Sequence, residues 1–163
     1  MRERVVLAGL MLLGGLACPA QTVSVAGEWH GIWTNPAGLV FTAAMTLETG
    51  PSCKTCAVVS DGAIRGQIVW TLRKAGSNAT PASAGLVGTT AMELVKGEMR
   101  GAGLLVLNGY EADDPTHMKG TDRYRLAISD NGKVVGGITL NGGSWTGQFI
   151  AVRAQAAERP APQ

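Results

Sequence analysis

A chain of 163 residues, with 14 Lys and Arg against 12 Asp and Glu and a formal net charge of +2, has the size of one ordinary domain. No block of basic residues occurs anywhere in it. This excludes the Lys/Arg stripe with which a nucleic-acid-binding surface neutralises phosphates.

The N-terminus reads as an export signal. Met1-Arg2-Glu3-Arg4 is short and net positive, and Val5 to Ala17 follows as thirteen residues without a charge. That run is shorter than the roughly 20 apolar residues a bilayer span needs, but it suits the apolar middle of a signal peptide. Cleavage after Ala20 would start the mature chain at Gln21. It would remove two arginines and one glutamate, so the formal charge falls from +2 to +1 over the remaining 143 residues. Gly15-Leu16-Ala17-Cys18 resembles a bacterial lipoprotein box, which makes lipidation of Cys18 a second route and the one way the sequence offers to a membrane. Either route places the protein outside the cytoplasm, in the periplasm or extracellular space, and the second ties it to the envelope. No long apolar run recurs after the signal.

From residue 26 onward, period-2 segments alternate with clusters of Gly, Asn, Asp and Pro, the pattern of strands and turns. Trp29, Gly31 and Trp33 fall on one face of a first strand, with Glu28, His30 and Ile32 on the other. Asn35-Pro36-Ala37-Gly38 predicts a turn. A second strand carries Phe41, Ala43, Met45 and Leu47 on one face. Cys53-Lys54-Thr55-Cys56 follows in a loop between strands. With Cys18 removed or lipidated, Cys53 and Cys56 are the remaining pair, and in an oxidising compartment they read as a small loop-stapling disulfide. No βαβ pattern surrounds them to support a redox motif, and no second ligand pair to support zinc.

Ala63 to Lys74 predicts the third strand, centred on Ile68, Val69 and Trp70, and residues 75–85 a small-residue loop. Leu86 to Lys96 and Met99 to Tyr110 give two more strands around Gly97. Glu111 to Thr121 reads as a polar loop containing His117 and three carboxylates. Arg123 to Ile128 and Val134 to Leu140 flank Asn131-Gly132, a strong hairpin signal. Trp145, Gly147, Phe149 and Ala151 share one face of the last strand. The domain thus runs over residues 21–153, behind a signal at 1–20, with an Ala- and Pro-rich tail at 154–163 expected to be disordered.

About eight short strands joined by local turns, without an amphipathic helix, predict an all-β, antiparallel meander. Such a sheet hides its edges as an up-and-down barrel or a flattened barrel or sandwich. Gly27-Glu28-Trp29 on the first strand resembles the opening of the calycin barrels, the lipocalins and avidins. Trp145-Thr146-Gly147-Gln148-Phe149 is similar to a late avidin strand. The resemblance implies a secreted barrel whose first-strand Trp closes the floor.

An eight-stranded barrel is either filled by its side chains or wide enough for one small ligand. The residues expected to line such a pocket are Trp29, Trp33, Phe41, Trp70 and Trp145. The sequence offers no Gly-x-Ser-x-Gly elbow, no phosphate cradle and no cofactor or metal motif. The leading expectation is therefore a noncatalytic exported barrel, either a carrier of a small apolar ligand or an interaction protein of the cell envelope. Two alternatives stay open: an enzyme using the Glu111–His117 loop, and a filled-core structural or inhibitory envelope protein.

Overall fold

Alternation of large apolar and polar residues makes the chain a succession of half-buried strands, because successive side chains point to opposite faces. The computed structural model describes residues 23–50, 64–101, 103–114, 119–141 and 143–155. The signal and Cys18, the Cys53/Cys56 pair and His117 lie outside the described residues, as does the tail from residue 156. Of Trp145 the backbone alone is described.

Eight antiparallel strands form the fold: β1 (Gly27–Thr34), β2 (Val40–Thr49), β3 (Ile64–Lys74), β4 (Thr90–Arg100), β5 (Leu104–Asp113), β6 (Arg123–Ile128), β7 (Val134–Asn141) and β8 (Ser144–Arg153). Each pairs with the next, and β8 pairs back onto β1, so the meander closes into a barrel without a free edge. The one described helix, α1 (Pro81–Ala84), is a single turn inside the loop expected at 75–85. No described helix is long and apolar enough to cross a membrane.

The faces expected of the first two strands are the observed ones. Trp29 and Trp33 are buried while Glu28, His30 and Ile32 are exposed, and Phe41, Ala43, Met45 and Leu47 all point inward. The fourth and fifth strands differ in their bounds, the fifth running Leu104–Asp113 rather than Met99–Tyr110. The fourth strand begins at Thr90 rather than Leu86, and it continues through Gly97 to Arg100. Gly97 lies within the ladder, where a Cβ would overlap the carbonyl oxygen of Val106 on β5; close approach of two strands explains that glycine better than a turn does. The β6–β7 connection is longer than a two-residue hairpin. Ser129 N–H donates to the Val134 carbonyl, the Asn131 Oδ1 accepts from Lys133 N–H, and Gly132 takes a positive φ of 66°.

The floor of the barrel is closed from inside. The Trp29 indole is fully buried and its Nε1–H donates to the Val25 carbonyl at 3.0 Å. Arg153, at the end of β8, lays its guanidinium 4.3 Å from the centre of that indole. It also donates to the carbonyls of Ser24, Ala26 and Gly132, tying the chain before β1 to the β6–β7 turn.

Candidate functional site

The opposite end of the barrel holds a chain of aromatic rings in edge-to-face contact. Trp33 meets Phe41 at 5.8 Å between centroids, Phe41 meets Trp70 at 6.3 Å, Trp70 meets Phe149 at 5.7 Å, and Phe149 meets Tyr124 at 6.1 Å. These rings come from β1, β2, β3, β8 and β6, each at an inward position of its strand. All are 4% exposed or less, so the interior at this level is packed with side chains.

Glu93 enters this apolar setting from β4. It stands between Ala91 and Val95 on the inward face and is fully buried. Three donors converge on its carboxylate: Trp70 Nε1–H at 3.0 Å and the Tyr124 hydroxyl at 2.5 Å on Oε2, and Asp122 N–H at 2.7 Å on Oε1. Room for it comes from β5. The β4–β5 register shifts between Leu94 and Val95, leaving Tyr110 without an opposite residue and setting Gly109 against the carboxylate. A Cβ at Gly109 would overlap Glu93 Oε1.

The segment entering β6 completes the cluster. Lys119 and Asp122 are both buried. The Lys119 ammonium is 2.8 Å from Asp122 Oδ2 and 3.9 Å from Glu93 Oε2. It lies 4.5 Å from the centre of the Trp70 ring and 5.4 Å from that of Trp33, within cation–π range of both. Despite these distances, neither Lys119 Nζ nor Asp122 Oδ2 reaches a partner in hydrogen-bond geometry among the described residues. The turn itself is held by Asp114, whose Oδ2 accepts from Lys119 N–H at 2.6 Å and Gly120 N–H at 3.2 Å. Asn141 on β7 donates to the Lys119 carbonyl at 3.1 Å and also to Asp122 Oδ1.

Electrostatically the cluster is tense. Burial pushes the Glu93 carboxyl above the usual glutamate range, while Lys119, the Asp122 amide and the Tyr124 hydroxyl each pull it down. Tyr124 is driven well above the ordinary tyrosine value by burial and then by the neighbouring Glu93 and Asp122 charges.

Of the expected pocket residues, the structure gathers Trp33, Phe41 and Trp70 at this end. Trp29 lies at the floor instead, under Arg153. Across the β1–β8 seam the residue opposite Trp33 is Phe149, and that opposite Trp29 is Arg153. Trp145 stands on β8 beyond the last β1–β8 pair, Thr34 with Gln148. Gly147, from the Trp-Thr-Gly-Gln-Phe stretch, has a packing reason to be glycine. A Cβ there would overlap Thr139 Oγ1 and sit 2.6 Å from Trp33 Nε1, and those two atoms are joined by a 2.7 Å hydrogen bond.

The loop expected at Glu111–Thr121 is partly strand and partly interior. Glu111 and Asp113 are exposed residues of β5, whereas Lys119 and Asp122 turn into the barrel. Among the described residues no group of three His, Cys, Asp or Glu side chains is placed to hold a metal ion. On the outer wall, Ile32, Ile138, Ile150 and Val152 of β1, β7 and β8 are exposed. Beside them lies an open groove of about 530 Å³ lined by Ile32, Gly136, Gly137, Ile138 and Ile150 among others.

Compared with protein-family models and with curated proteins, the chain matches none.

Proposed function

We propose that this is an exported, noncatalytic barrel that carries a small ligand with an apolar body, taken up at the Lys119 end of the barrel. The observation that supports the reading is the placement of a lysine and two carboxylates inside an aromatic core. A buried ion pair contributes little to stability compared with apolar side chains of the same volume. Charges retained there, beside aromatic walls, fit the general form of a ligand site: an apolar lining with a few convergent polar groups. Trp33, Phe41, Trp70 and Phe149 would supply the lining. Lys119, which stands on the connection into β6 rather than on a strand, is the side chain able to yield space without breaking the sheet. Export by the N-terminal signal, with cleavage before Gln21 or lipidation of Cys18, belongs to the same proposal.

The test is a titration with Nile red, a neutral apolar dye whose emission rises and shifts to the blue in a dry site. Wild type should bind it saturably, and Trp33→Leu should weaken that binding while Ile150→Gln on the outer wall should not. Absence of saturable binding to wild type would contradict the carrier reading.

A second reading, an interaction protein of the envelope, draws on a different observation, the uncharged outer face of β7 and β8 with its exposed Ile138, Ile150 and Val152. Contiguous exposed apolar surface of this kind marks contact with another apolar protein face. Ile150→Glu should then abolish an association that size-exclusion chromatography with light scattering detects in wild type.

A further inference from the structure

We infer that the ligand of this site carries an alkylammonium group, and that Lys119 occupies the place of that group in the closed barrel. The inference rests on the carrier reading above and specifies the chemistry of its ligand. Without the Lys119 side chain, the space its ammonium fills is bounded by the faces of Trp70 and Trp33, by Asp122 Oδ2 and by Glu93 Oε2. Two aromatic faces and two carboxylates around one position are the elements that recognise an organic cation. The lysine meets them incompletely. Its ammonium and the facing Asp122 oxygen lie close, yet neither makes a hydrogen bond among the described residues, though the lysine side chain is only 2% exposed.

Other ligand chemistries fit worse. An anion would face the Glu93 and Asp122 carboxylates, with Lys119 the one cation beside them. A hard divalent cation takes six or more oxygen ligands. Here two carboxylates face the position, and those of Glu93 already accept from Trp70, Tyr124 and Asp122. A primary or methylated alkylammonium needs neither more oxygens nor a second positive charge.

Lys119→Ala removes three methylenes and the ammonium, the atoms of n-propylammonium. The variant should melt below wild type, and n-propylammonium chloride, at constant ionic strength, should raise its melting midpoint saturably and perturb its tryptophan emission. 1-Butanol, of similar size without the charge, should require at least ten-fold higher concentration for the same effect. Wild type should show the same preference with a weaker response, since Lys119 competes for the position. Equal responses to the two compounds, or no saturable response to the amine, would overturn the inference. Should Lys119→Ala fail to fold, the wild-type preference alone decides, and its absence overturns the inference equally. Nile red separates the two levels of the argument. Saturable dye binding without ammonium preference removes the alkylammonium assignment and leaves the carrier. Ammonium preference without dye binding keeps the cage and removes the apolar body of the proposed ligand.

Discussion

The guanidinium of Arg153 lies 4.3 Å over the indole of Trp29 while donating to three backbone carbonyls at the floor of the barrel. One side chain thereby joins the two strands that close the meander to the segment preceding them. Hydrogen bonds to charged groups are worth about 1.5–3 kcal/mol each, and such values do not add fully within one network. Arg153→Ala should therefore lower the unfolding free energy by about 2–4 kcal/mol. Arg153→Lys, with one ammonium in place of a planar fork, should recover less than half of the loss. Urea unfolding of the three proteins checks both statements.

At the other end, Gly147 lets Trp33 reach Thr139. Gly147→Ala inserts a methyl where Thr139 Oγ1 and Trp33 Nε1 meet. Overpacking of this kind costs about 1–3 kcal/mol. The variant should be destabilised by that amount, with a changed tryptophan emission spectrum. A variant that melts like wild type would show that β7 and β8 separate more easily than the packing implies.

Glu93 gives the barrel a pH signature. Its folded-state pKa is raised by burial, so the folded protein holds that proton more tightly than the unfolded chain does. The resulting stability is fully present below the ordinary glutamate value, falls as pH rises through the raised folded value, and is level beyond it. Lys119, Asp122 and Tyr124 face the carboxyl. Glu93→Gln cannot lose a proton. The unfolding free energy of wild type minus that of Glu93→Gln should therefore decrease from acid toward neutral pH. A difference that increases with pH would mean that the Lys119 charge and the donors on Glu93 outweigh its burial.

Processing and the cysteines are checked on the protein isolated from cells that produce it. Intact mass should place the N-terminus at Gln21 or at a lipidated Cys18. Thiol titration of the denatured, unreduced protein should find Cys53 and Cys56 oxidised to each other, and replacing both by Ser should leave Nile red binding unchanged.

The barrel was legible because burial alternates along β1, β2 and β6. Trp29-Gly31-Trp33 and Phe41-Ala43-Met45-Leu47 announce their faces, and local turns leave closure as the way to hide the edges. The buried positions of Trp33, Phe41 and Trp70 were legible for the same reason. The charged cluster was only half visible. Glu93 could have been noticed as a carboxylate at an inward position between Ala91 and Val95. Lys119 and Asp122 follow no period, and a segment of Asp, Lys, Gly and Thr reads as a solvated loop. What turns it inward follows no period: the Asp114 carboxylate on the turn itself, the bulge at Tyr110 that admits Glu93, and Asn141 from β7. Arg153 was missed for a related reason, since a single arginine at a strand end carries no sign of the indole it will cover.

The most direct measurement is the response of the tryptophan indole N–H signals in a ¹H–¹⁵N NMR spectrum as Nile red is added to wild type. Trp33 and Trp70 lie at the Lys119 end, and Trp29 lies at the floor under Arg153. The account predicts that the Trp33 and Trp70 signals move with the dye concentration while that of Trp29 stays in place. Movement of the Trp29 signal, or dye binding with both Trp33 and Trp70 unmoved, would place the ligand elsewhere and contradict it.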